Sequence, residues 1–498
     1  MNDRGDQLTV VSNRLPIVMH REAGGWNIEP GSGGLVQAMT PILDDHGGCW
    51  VGWPGVTADD GDDWREGLAE VERRSTYDFE PVVLTRDEYR GYYRGFANSV
   101  IWPLFHGFAD RCEFDPEFYA AYGQVNEKFA RVLAARSGDG LLWAHDYHLI
   151  ELGRHLRDLD YGGRLAFFLH IPFPSVENFT KLPWRDQVLD DLLHYDQIGF
   201  QTQRDLENFE RCVDAIGAAG VVNAEANVRQ FNCRGRRVEA GAFPIGIDVD
   251  GFVGRAASQA VGERITQLGD ELGPYQVLLG VDRLDYSKGL LHRLRAYEKA
   301  LEQNPELRQK VVFLQLVVPS RESVPEYRRL KQEFDETVGR INGRFSTPGW
   351  QPIHYLYDSV RPPELSALYR LASVALVTPL RDGMNLVSKE YCVSQINGDG
   401  VLVLSEFAGS RSQLQEGAVL VNPYDVEATA RAISEAVSMD DAERCRRMES
   451  MQRVIERTDV FWWANAFVER IDEGAEARRR VVDVDEESTS MAGEGANA

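Results

Sequence analysis

Long apolar runs are missing from this sequence. No stretch approaches the ~18 consecutive apolar residues of a membrane-crossing helix, and Met1–Gln7 leads into a strand-like segment without the apolar region of a secretory signal. Cysteine is scarce. The six present (Cys49, Cys112, Cys212, Cys233, Cys392 and Cys445) stand at least 21 residues apart, which excludes C-x-x-C metal pairs and a dense disulfide frame and suits a reducing cytoplasm. Positive charge is also short: 54 Lys and Arg against 78 Asp and Glu leave a net charge of −24, a field that repels nucleic acid and anionic membrane surfaces. No G-x-S-x-G elbow, Walker lysine loop or G-x-G-x-x-G fingerprint follows any strand-like run. A soluble, cytoplasmic protein without nucleic-acid or membrane partners is the expectation.

What remains is ordinary globular composition, 43% hydrophobic and 27% charged over 498 residues, long enough for two large α/β domains. Short β-rich runs (Leu8–Val11, Leu141–Ala144, Leu165–Leu169, Val277–Val281, Val311–Val318, Val374–Val377, Val401–Leu404, Val419–Val421) alternate with helix-periodic stretches, which predicts parallel sheets of βαβ units. The Gly-, Pro- and Asp-rich segment 240–250 places a domain junction near 245, followed by one helix from Arg255 to Leu272 and a second sheet opening at Val277. The domains are then 1–245 and 246–456. The tail 481–498 carries five acids and no base, which predicts disorder.

Ligands of open α/β sheets bind beyond the carboxyl ends of the strands, so the residues there matter most. Gly280-Val-Asp-Arg283-Leu-Asp-Tyr-Ser-Lys288-Gly289 places two cations five apart after a strand, suited to the charge that gathers on a diphosphate leaving group. A surface Arg and Lys capping the next helix is the plainer alternative. Thr378-Pro-Leu-Arg-Asp382-Gly383-Met384-Asn385-Leu386-Val-Ser-Lys-Glu390 reads as a turn whose backbone N–H groups cradle phosphate at a helix N-terminus, with Glu390 placed to accept from ribose hydroxyls. Here the alternative is a simple N-cap by Asp382. A third group comprises Asn13-Arg14, Gly31 to Gly34, Trp53, Tyr93, Trp102, His145 to His148 and His170 to Pro174. Its Trp and Tyr serve either as packing or as sugar platforms. His145 and His148 follow a strand instead of sharing a helix face, and no third ligand is evident, so no metal is expected.

Ser12-Asn-Arg14-Leu-Pro, Gly-Trp53, Trp102-Pro-Leu-Phe-His106, His145-Asp-Tyr-His-Leu149, Phe168-Leu-His170-Ile-Pro-Phe-Pro174, Arg283-Leu-Asp-Tyr-Ser-Lys288-Gly and Leu380-Arg-Asp-Gly-Met-Asn-Leu386 occur in order over roughly Leu8 to Arg470. Together they resemble the trehalose-6-phosphate synthase family. The resemblance implies a retaining glycosyltransferase of the GT-B fold: α/β, with two Rossmann-like doubly wound domains facing each other across a cleft. It also implies a C-terminal helix, about 457–480, returning to the first domain. The implied reaction moves glucose from a nucleotide diphosphate glucose, UDP-glucose foremost, to glucose 6-phosphate, with no cofactor and homo-oligomer formation left open. By the same resemblance Arg283 and Lys288 hold the donor diphosphate, Glu390 the ribose and Leu365 the base. His170, Asp382 and the backbone of Gly383, Met384, Asn385 and Leu386 take the donor glucose, joined by Gly33 and Gly34. Arg14, Tyr93, Trp102 and Arg321 take the acceptor phosphate, with Trp53 and Asp146 nearby. Arg283, Lys288, Asp146, His170 and Asp382 form the implied catalytic set, in a front-face displacement where the leaving phosphate deprotonates the incoming hydroxyl. Gly409-Ser410-Arg411, Val360 and Asn178 depart from the family pattern and bear on the donor base. The rival glucosylglycerol-phosphate synthase reading takes ADP-glucose and glycerol 3-phosphate, and Arg321 argues for the sugar phosphate. A non-catalytic, sugar-phosphate-sensing relative would be expected to lose Arg283, Lys288, Asp382 or Glu390, and all four are present.

Overall fold

The computed structural model describes residues 8–22, 25–31, 33–136, 140–321 and 324–471. Two compact units emerge, Met1–Phe243 with Phe461–Ala498, and Pro244–Val460, so the chain changes unit two residues before the expected junction. The acidic tail and the end of the expected C-terminal helix lie outside the described residues.

The first unit contains β1 (Thr9–Arg14), β2 (Ile17–Glu22), β3 (Gly25–Pro30), β4 (Cys49–Trp53), β5 (Asp78–Pro81), β6 (Leu141–His145), β7 (Arg164–Phe168), β8 (Gln197–Phe200), β9 (Gly220–Ala224), β10 (Val228–Cys233) and β11 (Arg236–Ala242). Its sheet runs β5-β4-β1-β6-β7-β8-β11-β10-β9, parallel through β11 and antiparallel at the β10–β9 edge, while β2 and β3 form a separate hairpin. Central strands such as Leu-Leu-Trp-Ala-His in β6 are buried at every position, the signature of a parallel strand covered on both faces. β4, β5 and β8 escape a search for long apolar runs because they are four or five residues long and contain Gly or Pro. Residues 461–471 are helical and pack Trp463 and Phe467 against Trp143, with ring centroids 5.0 and 4.6 Å away.

The second unit contains β12 (Gln276–Arg283), β13 (Val311–Val318), β14 (Ile353–Tyr357), β15 (Ala372–Val377), β16 (Val401–Ser405) and β17 (Val419–Val421). Their order β14-β13-β12-β15-β16-β17 is all parallel, the doubly wound order in which the sheet reverses between its first and fourth strands. The expected single helix from Arg255 to Leu272 is corrected to two, Val249–Ala256 and Gln259–Leu272. Ser258 breaks the run because its hydroxyl accepts from the Val261 N–H, and a short polar side chain that caps a helix cannot also sit inside one.

Candidate functional site

In the second unit the sheet reverses between β12 and β15, and the two sequence motifs are the loops that leave these strands. They meet along their backbones. Leu380 N–H donates to Ser287 O at 2.7 Å, and a Cβ on Gly289, whose φ is +67°, would lie 2.3 Å from Thr378 O. Only glycine fits both the left-handed backbone and that approach. Lys288 is 9% exposed and its Nζ donates to Asp382 Oδ2 at 2.6 Å, so for Lys288 the surface-pair alternative is overturned, whereas Arg283 is exposed at the end of β12.

The N-cap alternative for Asp382 is also corrected. The helix Leu386–Ser394 begins after Asn385, whose φ is +72° and which makes no side-chain cap bond, while Asp382 accepts from Asn385 Nδ2 at 3.0 Å. Nothing acidic occupies that first turn, so its N–H groups and the positive end of the helix dipole suit an anion. Glu390 lies a turn further in, buried, and accepts from Tyr369 Oη at 2.7 Å; burial raises its pKa, against the Tyr369 hydrogen bond and the Arg255 charge. Leu365 sits one turn before Tyr369 on the helix Pro362–Leu371, on the same side. Arg321, with φ +48° beyond β13, donates to Tyr327 Oη at 2.6 Å, and that hydroxyl in turn donates to Asp285 Oδ2 at 2.9 Å. Burial pushes the Asp285 pKa up, yet the Arg321 and Lys288 charges outweigh it and hold the carboxyl below its ordinary value.

In the first unit the order of strands reverses between β1 and β6, and there a cavity of 270 Å³ is lined by Arg14, Gly31, Gly33, His145, Asp146 and His148 among others. Gly33 precedes the helix Gly34–His46, whose first turn holds no acid. Asp146 has φ +75°, donates its N–H to Phe168 O at 2.7 Å and accepts the His170 N–H on Oδ1 at 3.2 Å, so it ties the ends of β6 and β7. Burial lowers the His170 pKa to about 3, leaving a neutral ring whose Nε2 lies 3.1 Å from His145 Nδ1 and whose Nδ1 lies 3.2 Å from Gln201 Nε2. The Arg14 guanidinium lies 5.1 Å over the Trp53 ring. From Trp53 the rings continue through Tyr89 and Tyr93 to His148, at 4.8, 5.2 and 5.7 Å.

Tyr89 and Tyr93 belong to a π-helix, Tyr89–Ile101, a rare form associated with functional sites. Gly91 and Gly95 let it lie against the helix Pro116–Ala134, since a Cβ on Gly95 would meet the Phe118 ring at 2.6 Å. Trp102 follows it and is buried between His106 and Tyr147. Sequence reasoning missed Tyr89 and the pairing of His145 with His170. For Tyr89 the signal was its spacing of four from Tyr93. Among the described residues no three His, Cys, Asp or Glu are grouped to hold a metal ion.

A model of the family described as Glycosyltransferase family 20 matches residues 6–473. A protein of Thermoproteus tenax named bifunctional trehalose-6-phosphate synthase/phosphatase is 42% identical over 488 residues, 95% of this chain and 65% of its own length. One of Dictyostelium discoideum, named alpha,alpha-trehalose-phosphate synthase [UDP-forming] A, is 37% identical over 96% of this chain and 64% of its own length. The chain thus spans just under two thirds of these two relatives. The crystal structure of an alpha,alpha-trehalose-phosphate synthase (UDP-forming) from Burkholderia xenovorans in complex with glucose-6-phosphate superposes with a TM-score of 0.86 at 35% identity, covering 94% of this chain and all of that one. The α/β architecture of the two units is that of the GT-B enzymes.

Proposed function

The chain belongs to glycosyltransferase family 20, and on that premise we propose that it is a cytoplasmic trehalose-6-phosphate synthase transferring glucose from UDP-glucose to glucose 6-phosphate with retention of configuration. The observation that carries this reading is the pairing of Lys288 with Asp382 beside the uncapped helix N-terminus at Leu386, at the point where the second sheet reverses. Cation, backbone N–H groups and helix dipole there converge on one small region, as a diphosphate requires. Arg283 and Lys288 receive the charge as the bond from glucose C1 to the diphosphate breaks. A bond from C1 to the acceptor hydroxyl forms on the same face, and the hydroxyl proton passes to a leaving phosphate oxygen. Asp146 accepts the His170 amide on Oδ1 and so fixes the loop after β6, while in this reading the leaving phosphate takes the proton. A matrix of UDP-, ADP- and GDP-glucose against glucose 6-phosphate, glycerol 3-phosphate and free glucose tests the reading. Trehalose 6-phosphate formed from UDP-glucose supports it, and glucosylglycerol phosphate as the main product sinks it.

Two further outcomes follow from the same reading. With cations supplied by Arg and Lys, activity is expected to persist in EDTA; loss of turnover that magnesium restores would contradict the diphosphate site described. Arg321 offers the forked donors that phosphate geometry favours, and a charge-assisted bond of this kind is worth roughly 1.5–3 kcal/mol. Arg321→Ala should therefore raise KM for glucose 6-phosphate about tenfold to a hundredfold and leave the donor KM nearly unchanged. Unchanged acceptor kinetics would remove Arg321 from the acceptor site.

A further inference from the structure

Beneath the two loops of the second unit lies a group the reaction has not used. Arg293, in the first turn of the helix Leu290–Gln303, is 1% exposed. Its Nε donates to Thr378 Oγ1 at 2.9 Å, Nη1 donates to Asp282 Oδ2 and to Gln315 Oε1, the latter at 3.0 Å, and Nη2 reaches Lys288 O at 3.4 Å. A buried guanidinium is costly unless every donor is met, and an apolar residue would fill the same space without that cost. The chain nevertheless spends three unusual residues on it. Gln315 interrupts the otherwise apolar β13 and is wholly buried, Asp282 is a buried carboxylate in β12, and Gly280 leaves room for the pair, since a Cβ there would lie 2.4 Å from Gln315 Oε1 and 2.7 Å from Arg293 Nη1.

We infer that Arg293 is the positioning residue of the diphosphate site, its rigid fork holding the loop after β12 at Lys288 and the loop after β15 at Thr378 in one fixed spacing. A lysine could satisfy Asp282 alone, whereas the planar guanidinium bonds in several directions at set angles, which is what tying two loops to two strands demands. Thr378 and Lys288 are 90 residues apart in sequence, and Arg293 bonds both. Together with the Leu380 N–H bond to Ser287 O, this spacing sets where Lys288 meets Asp382, at 2.6 Å.

The inference rests on the reading that these loops take a nucleoside diphosphate. UDP, with ADP and GDP in parallel, is titrated calorimetrically into the full chain and into Arg293→Lys, Thr378→Val and Thr378→Ser. Arg293→Lys is expected to weaken diphosphate affinity by about tenfold or more and Thr378→Val by about threefold to tenfold. Thr378→Ser, which keeps the hydroxyl, should bind as the unaltered protein does, and KM for glucose 6-phosphate should stay within about twofold in all three. If Arg293→Lys does not fold, the Thr378 pair decides alone. Unaltered affinity in Thr378→Val, equal weakening in Thr378→Ser, or a parallel rise in acceptor KM would overturn the inference. An unaltered protein that binds a nucleoside diphosphate yet forms no trehalose 6-phosphate would sink the proposed function and leave this inference standing.

Discussion

Lys288→Ala should lower kcat by about 10²–10³-fold at saturating substrates, the effect of deleting one fixed donor aimed at developing charge. The expectation is stronger for Lys288 than for a surface cation. Its ammonium is nearly buried, it bonds Asp382 at 2.6 Å, and it stands at the end of a loop whose backbone is pinned through Gly289 and Ser287. Such a group undergoes little reorganisation as the leaving group gains charge, which is the condition under which electrostatic stabilisation is largest. Removing it also takes one partner from the Asp382 carboxylate. Arg283→Ala should lower kcat in the same direction, because Arg283 is the second cation of the loop, but by less, since it is exposed. Steady-state kinetics on both variants check this, and turnover equal to the unaltered protein in both would place the diphosphate elsewhere.

Gly409→Ala is expected to cut kcat/KM for the nucleotide sugar about 10²-fold although position 409 carries no chemistry. The turn Asp382–Asn385 is seated on the segment 407–410: Asp382 N–H donates to Phe407 O at 3.2 Å and Ser410 N–H to Met384 O at 2.9 Å. At this contact a Cβ on Gly409 would lie 1.7 Å from Gly383 O, a distance no rotamer change relieves because both sides are backbone. The donor turn must therefore shift, and a displacement of order 1 Å near the reacting groups costs about that factor. Circular dichroism shows whether the variant is folded, and a folded Gly409→Ala with donor kinetics within about threefold of the original would mean that the turn is not part of the site.

Much of the fold was legible from the chain alone. The apolar runs at 277–281, 311–318 and 401–404 became β12, β13 and β16 with shifts of two residues or fewer, because strands buried on both faces carry unbroken Val and Leu. Short strands with Gly or Pro were not legible because they form no apolar run, and the break at Ser258 and the π-helix were not because each depends on one hydrogen bond or one close packing contact that periodicity does not encode.

By itself the sequence determined which residues could act: a pair of cations after one strand, a Gly turn opening a helix after another, and arginines at strand ends, all matching one family in order. Only the tertiary structure decided what each of them touches. Lys288 meets Asp382 across 94 residues because β12 and β15 are neighbours in the sheet while β13 and β14 lie to the other side. Arg293 finds Thr378 by the same pairing, Gln315 because β13 flanks β12 on its other side, and Gly409 faces Gly383 because β16 lies next to β15. The physical cause is that local periodicity and turn chemistry act over a few residues, whereas the partner of a buried polar group is set by strand order, which hydrophobic burial fixes for the whole sheet at once.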